Sequence, residues 1–381
     1  MITIHTLTSP LHNEDAVRAV TEEFLNSLGL EYRFAGPDFD HFGEYGPAFI
    51  FVRTGGTESL FAQLLPQLPP RLPIYLLASG KSNSLPAAME ILSYLRNRGR
   101  SGEILHGSPE HIAARIREIE RVDSARKALQ GRKLGVIGRP SDWLIASIAP
   151  PAAVGKALGM ELVDIPMQTL LDTLEAPQAG ESPEDGALRI YRALKALVAR
   201  YDLAGLTLRC FDLLGTVHNT GCLALAKLNS EGIVSSCEGD VPALLSMVIA
   251  RALVGVSGFQ ANPSRINPET GEIIFAHCTV PLDMVESYCY DTHYESGIGV
   301  GIRGKIAEGP VTVFKTSGDL SRHFTAEGTL LANLEEKDLC RTQVLLRLGN
   351  TDYFLRNPIG NHHLVLPGHC ARLLEAFFEA L

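Results

Sequence analysis

Twice along this chain, apolar runs of strand length alternate with amphipathic stretches of helical period, and beyond residue 285 the alternation stops. In the first run Ile2 to Leu7 reads as strand and Asp15 to Leu28 as helix. Ala48 to Val52, Pro73 to Ala78 and Glu103 to Leu105 read as further strands, with Leu85 to Asn97 a helix between the last two. Strands separated by helices pair in parallel, so the pattern is that of a parallel α/β layer. The charged helical segment Val122 to Gly131 closes this run, and the strand Lys133 to Ile137 opens the next. There follow a helix near Ala152 to Gly159, a strand Glu161 to Ile165, a helix Gly186 to Tyr201, a strand Gly205 to Arg209 and a buried helix Val241 to Val254. The polar stretch Glu175 to Asp185, with Pro177 and Pro183, is an exposed loop before the long helix.

After residue 285 the helical period gives way to β-branched and glycine-rich runs at Gly297 to Arg303, Gly309 to Lys315, His323 to Glu336, Gln343 to Leu348 and Tyr353 to Leu355. Short strands broken by turn residues specify a small antiparallel sheet or barrel. Leu373 to Leu381 closes the chain as a short amphipathic helix. The expected fold is therefore α/β with two Rossmann-like α/β domains, 1–128 and 129–285, followed by a small antiparallel β-rich, barrel-like domain, 286–381. The length of 381 residues agrees, since one core rarely serves such a chain and about two or three domains are the norm.

Charge and cysteine content exclude several functions. A formal net charge of −9 leaves no basic stripe to release counterions from a phosphate backbone, so nucleic acid is not an expected partner. The 7 cysteines are scattered singly with no Cys-x-x-Cys pair, which suggests buried thiols in a reducing compartment, not a disulfide framework or a zinc ribbon. The amino terminus enters a strand without the basic and apolar regions of a signal peptide. The longest apolar stretch, Val241 to Val256, is short for a membrane span and is interrupted by Arg251. A cytoplasmic protein without a membrane partner is expected.

Two glycine motifs lack the context that phosphate chemistry needs. Gly297, Gly299 and Gly301 alternate at period two and precede strand-like residues, whereas a dinucleotide loop opens a helix; small residues on one face of a sheet are expected instead. Gly80-Lys81-Ser82 lacks the earlier glycine of a P-loop. Gly55-Gly56-Thr57-Glu58 differs, because it follows an apolar strand and precedes a helix, the place where α/β sheets bind ligands.

The segments that carry chemistry lie later. Glu238 stands between small residues and opens the apolar helix, so its carboxylate projects from a turn at the carboxyl edge of a sheet. His277 directly follows the strand Ile273 to Ala276. His362 and His363 precede the strand-like Leu364-Val365-Leu366, and on an extended segment they face opposite sides, so one serves as a ligand and the other can reach substrate. A carboxylate with two imidazoles suits Mn²⁺, Co²⁺, Fe²⁺ or Zn²⁺, and oxygen donors from a sugar shift the preference toward Mn²⁺.

At these residues the chain resembles the L-fucose isomerase and L-arabinose isomerase superfamily, in its shorter fucose isomerase-like branch. The likeness is carried by Leu208-Arg-Cys-Phe-Asp212, Gly221-Cys-Leu-Ala-Leu225, Cys237-Glu-Gly-Asp-Val241, Ala261-Asn-Pro-Ser-Arg265, Ala276-His-Cys-Thr-Val-Pro281, Thr292-His-Tyr-Glu-Ser296 and Gly360-Asn-His-His363. It implies a homotrimer or homohexamer with active sites between subunits, and an Mn²⁺-dependent aldose to ketose isomerase of a free or substituted monosaccharide acting through a cis-enediol(ate). It also implies Glu238, His277 and His363 as metal ligands and Glu238 as a proton-transferring group. The family's second acidic ligand falls in the stretch Phe259-Gln260-Ala261-Asn262, where Gln260 and Asn262 offer only amides. The second acid/base is then expected at Asp240, Glu295 or, from a neighbouring subunit, Glu58. Catalysis is assigned to Glu238 and Asp240, and substrate contacts to His362, Asn262, Arg265, Glu295, Thr57 and Glu58. Arg209, Arg265 and Arg303 are candidate anchors for an anionic substituent. A sugar-binding or regulatory protein on the same scaffold, and a metal-assisted epimerase or lyase, are the alternatives.

Overall fold

The computed structural model describes residues 2–70 and 72–381, which form two compact units, one reaching Ser124 and one running from Ala125 to Glu379. The first unit contains β1 (Ile2–Leu7), α1 (Glu14–Ser27), β2 (Tyr32–Gly36), β3 (Ala48–Val52), α2 (Glu58–Leu64), β4 (Ile74–Ala78), α3 (Ser84–Arg96) and β5 (Gly102–Leu105), and α4 (Pro109–Leu129) carries the chain onward. Its strands form a parallel sheet in the order β2-β1-β3-β4-β5. Ile50 and Val52 of β3 pack with Phe61, Ile91 and Leu95 on one face, while Phe49 and Phe51 pack with Leu25, Ile112 and Ile116 on the other. Burial on both faces is why these strands read as unbroken apolar runs. The strand β2 was not expected, since Arg33 and Phe34 are exposed and the segment carries no apolar alternation.

The second unit opens with β6 (Lys133–Ile137), α5 (Pro151–Leu158), β7 (Glu161–Ile165), α6 (Met167–Thr173), α7 (Pro183–Tyr201), β8 (Leu203–Leu208), α8 (Asp212–Val217), α9 (Cys222–Ser230), β9 (Val234–Cys237) and α10 (Val241–Val254). The strands form a parallel sheet in the order β7-β6-β8-β9. Helix α7 begins where the sequence provides a capping box: Ser182 accepts from the Asp185 amide, Asp185 accepts from the Ser182 amide, and Pro183 occupies the first helical position.

The chain continues through β10 (Phe259–Asn267), β11 (Glu272–His277), β12 (Ser287–Asp291), β13 (Gly301–Lys305), β14 (Gly309–Thr316), β15 (His323–Asn333), β16 (Thr342–Leu348), α11 (Asp352–Arg356), β17 (His363–Pro367) and α12 (Ala371–Glu379). Six of these strands close an antiparallel barrel in the order β10-β11-β16-β15-β14-β17, and β12 with β13 forms a separate ribbon. Phe259, Phe275, Val313, Val344 and Val365 fill the barrel core. Helix α10 is apolar nearly all round, and it packs against β8 and β9 of the sheet and β14 and β17 of the barrel. That placement brings the end of β9 to the barrel. Among the described residues no helix is long and apolar enough to cross a membrane.

Three expectations are corrected. The strand ending at His277 belongs to the barrel and not to the parallel sheet, because β11 pairs with β10 and β16. Tyr353 to Leu355 is helical, within α11. Gly297 and Gly299 lie in a turn before β13, both at positive φ; a Cβ at Gly299 would meet Asn219 and Thr220 at 2.9 Å, so the glycine serves a close approach in a loop and not a sheet face.

Candidate metal centre

Glu238 follows β9 at the carboxyl edge of the parallel sheet, where open α/β sheets place ligands. Its backbone lies in the left-handed region (φ 64°), a conformation that costs a non-glycine residue about 1–3 kcal/mol and needs support from its surroundings. The support is local. Ser141 N–H donates to the Glu238 carbonyl (3.0 Å), and Gly239 N–H donates to the Leu208 carbonyl (2.9 Å). The amide of Gln260, on barrel strand β10, accepts from Cys237 N–H (2.8 Å) and donates to the Cys237 carbonyl (3.4 Å). An amide can do both at once, so Gln260 is committed through both its polar atoms to holding the end of β9. Gly239 is also required: a Cβ there would stand 2.4 Å from the Arg139 carbonyl oxygen, at a φ of +70°. Gly239→Ala is expected to lose about 1–3 kcal/mol of stability through overpacking, read from urea denaturation. An unchanged midpoint would show that the loop over Gly239 yields freely.

The barrel supplies the imidazoles. His277 ends β11 and His362 immediately precedes β17. Their Nε2 atoms lie 3.6 and 3.4 Å from Glu238 Oε1, and the three residues offer donor atoms all within 4.8 Å of one another. Two donors on a tetrahedral centre with bonds of about 2.1 Å stand about 3.4 Å apart, so the spacing fits a first-row cation. Among the described residues, His362 Nε2 is buried and has no hydrogen-bond partner. An orphaned imidazole nitrogen facing a carboxylate and a second imidazole is what a metal ligand looks like without its ion. This is the sole such group of three or more found among the described residues.

His362 is oriented from behind. Its Nδ1–H donates to Asp240 Oδ2 at 2.9 Å, which leaves Nε2 to face the cluster, the arrangement of a carboxylate-supported metal histidine. Asp240 is the N-cap of α10: its Oδ1 accepts from Ala243 N–H at 2.8 Å, and the buried Lys315 ammonium of β14 lies 3.5 Å from Oδ2. Burial raises the Asp240 pKa, but Lys315 and His362 outweigh it and hold the group at about 2. For Glu238 burial is likewise outweighed, by the imidazoles of His362 and His277, and its carboxyl is held far below the usual range. Burial opposes a proton on His362, yet Glu238 and Asp240 push its pKa up to about 9. The cluster thus demands positive charge at the point where a cation would sit, and a cation would displace that proton.

His363, the ligand implied by the resemblance, points elsewhere. Its Nδ1–H donates to the Asn361 carbonyl (2.9 Å) and its Nε2 accepts from the Tyr353 hydroxyl (2.9 Å). Burial, then the charge of Lys315, lowers its pKa to about 3, so the ring is neutral with both nitrogens used. The two histidines do face opposite sides, and it is His362 that joins the cluster. Asp240, expected as a catalytic acid/base, is wholly buried with both oxygens engaged, so it does not reach substrate.

The other named residues are dispersed. Asn262 accepts from the Asn361 side-chain amide (3.0 Å). Arg265 is exposed and forms a two-pronged pair with Glu336 (3.0 and 2.8 Å), Arg303 pairs with Asp291 (2.8 Å), and Arg209 pairs with Asp142 (2.7 Å) and Asp212 (2.9 Å), so all three candidate anion anchors are engaged within the chain. Glu295 is exposed in the turn after β12. In the first unit, Thr57 is buried with its hydroxyl on the Thr54 carbonyl (3.1 Å), and Glu58 lines a cavity of about 340 Å³ with His12, Gly55, Gly56 and Asn83.

Trp143 and Lys315 enter the site without a sequence signal, and His293 comes from the Thr292-His-Tyr-Glu-Ser296 segment, in which Glu295 alone is given a role above. Trp143, in the loop after β6, donates its Nε1–H to Glu238 Oε2 at 2.7 Å. His293 stacks edge-on to Phe211, which stacks edge-on to Trp143, and burial together with the charge of His277 lowers the His293 pKa to about 4. Lys315 reads as one charge in an apolar strand. Cys210 and Cys237 bring their sulfurs to 2.9 Å beneath Glu238 as free thiols.

No family model matches the chain. Among curated proteins it is similar to the sulfoquinovose isomerase of Priestia aryabhattai, 24% identical over 262 residues, covering 62% of this chain and 59% of that protein. The sulfoquinovose isomerase of Alkalicoccus urumqiensis is 24% identical over 219 residues, covering 51% and 49%. That of Clostridium sp. (strain MSTE9) is 30% identical over 131 residues, covering 34% and 28%. The chain spans about three fifths or less of the length of these relatives.

Proposed function

We propose that this chain is a divalent-metal-dependent aldose-ketose isomerase of a monosaccharide or substituted monosaccharide, with Glu238, His277 and His362 as metal ligands and Mn²⁺ as the metal. The observation that carries the reading is the buried Glu238–His277–His362 cluster with its unpartnered His362 Nε2. The distant relatives named sulfoquinovose isomerase support the class of reaction and put a sulfonated hexose first among the substrates to test.

Isomerisation moves one proton from C2 to C1 and another from O2 to O1, by way of a cis-enediol(ate). A bound cation would supply the polarisation of the carbonyl and its neighbouring hydroxyl. The protein's part is to orient these atoms and to move the protons. Glu238, held far below the usual carboxylate range, is a weak base, and Asp240 is sealed off. The carbon-bound proton therefore needs an acceptor outside the cluster. Glu295, an exposed carboxylate in the turn after β12, is the group of this chain offered for that part, while His293 in the same turn, its pKa lowered to about 4 by burial and by His277, is too weak a base to accept it. Assembly as a homotrimer or homohexamer, with Glu58 donated by a neighbouring copy, belongs to the same reading, while Thr57, buried with its hydroxyl on the Thr54 carbonyl, does not reach substrate.

The test is deuterium wash-in from heavy water into C1 or C2 of a panel of aldoses and ketoses, sulfoquinovose included, with metal-stripped and Mn²⁺-loaded protein. Exchange that requires the metal is expected. Metal bound at stoichiometry without exchange on any sugar would replace this reading with a sugar-binding protein on the same scaffold.

A further inference from the structure

Trp143 is the chain's single tryptophan, and it lies on an irregular loop with 50% of its surface exposed. An indole in such a place owes little of its position to burial. The loop is nevertheless fixed. Arg209 donates to the Pro140 carbonyl (2.6 Å) and to Asp142 Oδ2 (2.7 Å), while its Nε is held by Asp212 (2.9 Å). Ser141 ties the same loop to the Glu238 carbonyl, and the Trp143 ring meets Phe211 edge-on at 4.9 Å between centroids. The result of this bracing is one contact, the indole N–H on Glu238 Oε2.

The backbone of Glu238 is set by its left-handed turn, but the last torsion of a glutamate is broad and does not by itself choose which oxygen faces the imidazoles. Here the choice is made: Oε1 stands 3.4 and 3.6 Å from the two imidazoles and Oε2 is taken. We infer that Trp143 is a positioning residue of the cation site, whose N–H occupies Oε2 of Glu238 and so presents the single oxygen Oε1 to the space shared with His277 and His362. The inference rests on the metal reading above and extends it, because one-oxygen presentation leaves more of the cation's coordination positions to substrate than a carboxylate gripping with both oxygens would.

Three proteins test it: the full chain, Trp143→Phe, which keeps the ring but removes the donor, and Trp143→Gln, whose Nε2 lies as many bonds from Cβ as the indole nitrogen. Each is stripped with a chelator and titrated with Mn²⁺ by calorimetry, and metal-free melting curves by circular dichroism separate a lost fold from a lost donor. Trp143→Phe is expected to bind Mn²⁺ about 10- to 100-fold more weakly, the usual loss when a partner that orients a metal ligand is removed, with Trp143→Gln between it and the parent. Should Trp143→Phe fail to fold, Trp143→Gln carries the comparison. Affinity in Trp143→Phe within about twofold of the parent, a loss too small for an orienting partner, or equal weakening in both variants, would overturn the role of the N–H. A parent protein that takes up no Mn²⁺ would overturn the metal reading itself.

Discussion

Glu238→Gln is expected to abolish measurable Mn²⁺ binding and, with the cation that would polarise the carbonyl gone, to reduce deuterium exchange into sugar to the level of the metal-stripped parent. The amide is nearly the same shape, and its oxygen can still accept from Trp143, so the metal-free fold should persist. What disappears is the negative charge between two imidazoles. That charge, with Asp240, gives His362 a pKa of about 9, and it is what would draw a cation into a site from which water is largely excluded. Calorimetric titration and heavy-water NMR on the same preparation read both effects. If Glu238→Gln keeps parental Mn²⁺ affinity, the cluster of Glu238, His277 and His362 is not the metal centre; if it loses metal but keeps exchange, the chemistry does not need the metal.

Much of the frame around this site is legible in the sequence, because strands buried on both faces must be continuous apolar runs and a helix buried all round, such as α10, must lack a polar stripe. The β-rich ending is legible too, from turn residues at short spacing. Membership is not: β11 looks like any strand, β10 with Asn262 and Pro263 does not read as one at all, and only their pairing with β16 and β17 assigns them to the barrel. The same limit governs the histidines. Period two places His362 and His363 on opposite sides, but which side is occupied by Glu238 depends on Asp240, distant in sequence, and on Tyr353, which lies in a helix where the sequence reads as strand. Gln260 looked like a ligand lost, whereas its amide closes on both polar atoms of Cys237, a role no sequence spacing reveals. Trp143 was invisible for a related reason, since a tryptophan in a Pro-Ser-Asp loop carries no periodic signal and owes its place to Arg209, remote in the chain.

Lys315→Met is expected to destabilise the second unit by about 3–5 kcal/mol, the cost of removing one partner from a buried charged group. Lys315 is 1% exposed and lies within the barrel wall on β14, where burial pulls its pKa down and Asp240 pulls it back. It survives there because Asp240 is buried too, and because Asp240 cannot move: it caps α10 and holds His362. Take away the ammonium and the carboxylate keeps its cap and its histidine but loses the full positive charge that offset its desolvation. Urea denaturation, monitored by circular dichroism, measures the change, and a variant within about 0.5 kcal/mol of the parent, the scatter of ordinary surface substitutions, would show that the pair carries no such charge balance. The double variant Asp240→Asn/Lys315→Met decides the mechanism. If the loss comes from stranding a charge, the double variant is more stable than the sum of the singles predicts, by about 0.5–3 kcal/mol. If the losses simply add, the ammonium acts independently of Asp240, and the orientation of His362 owes nothing to it.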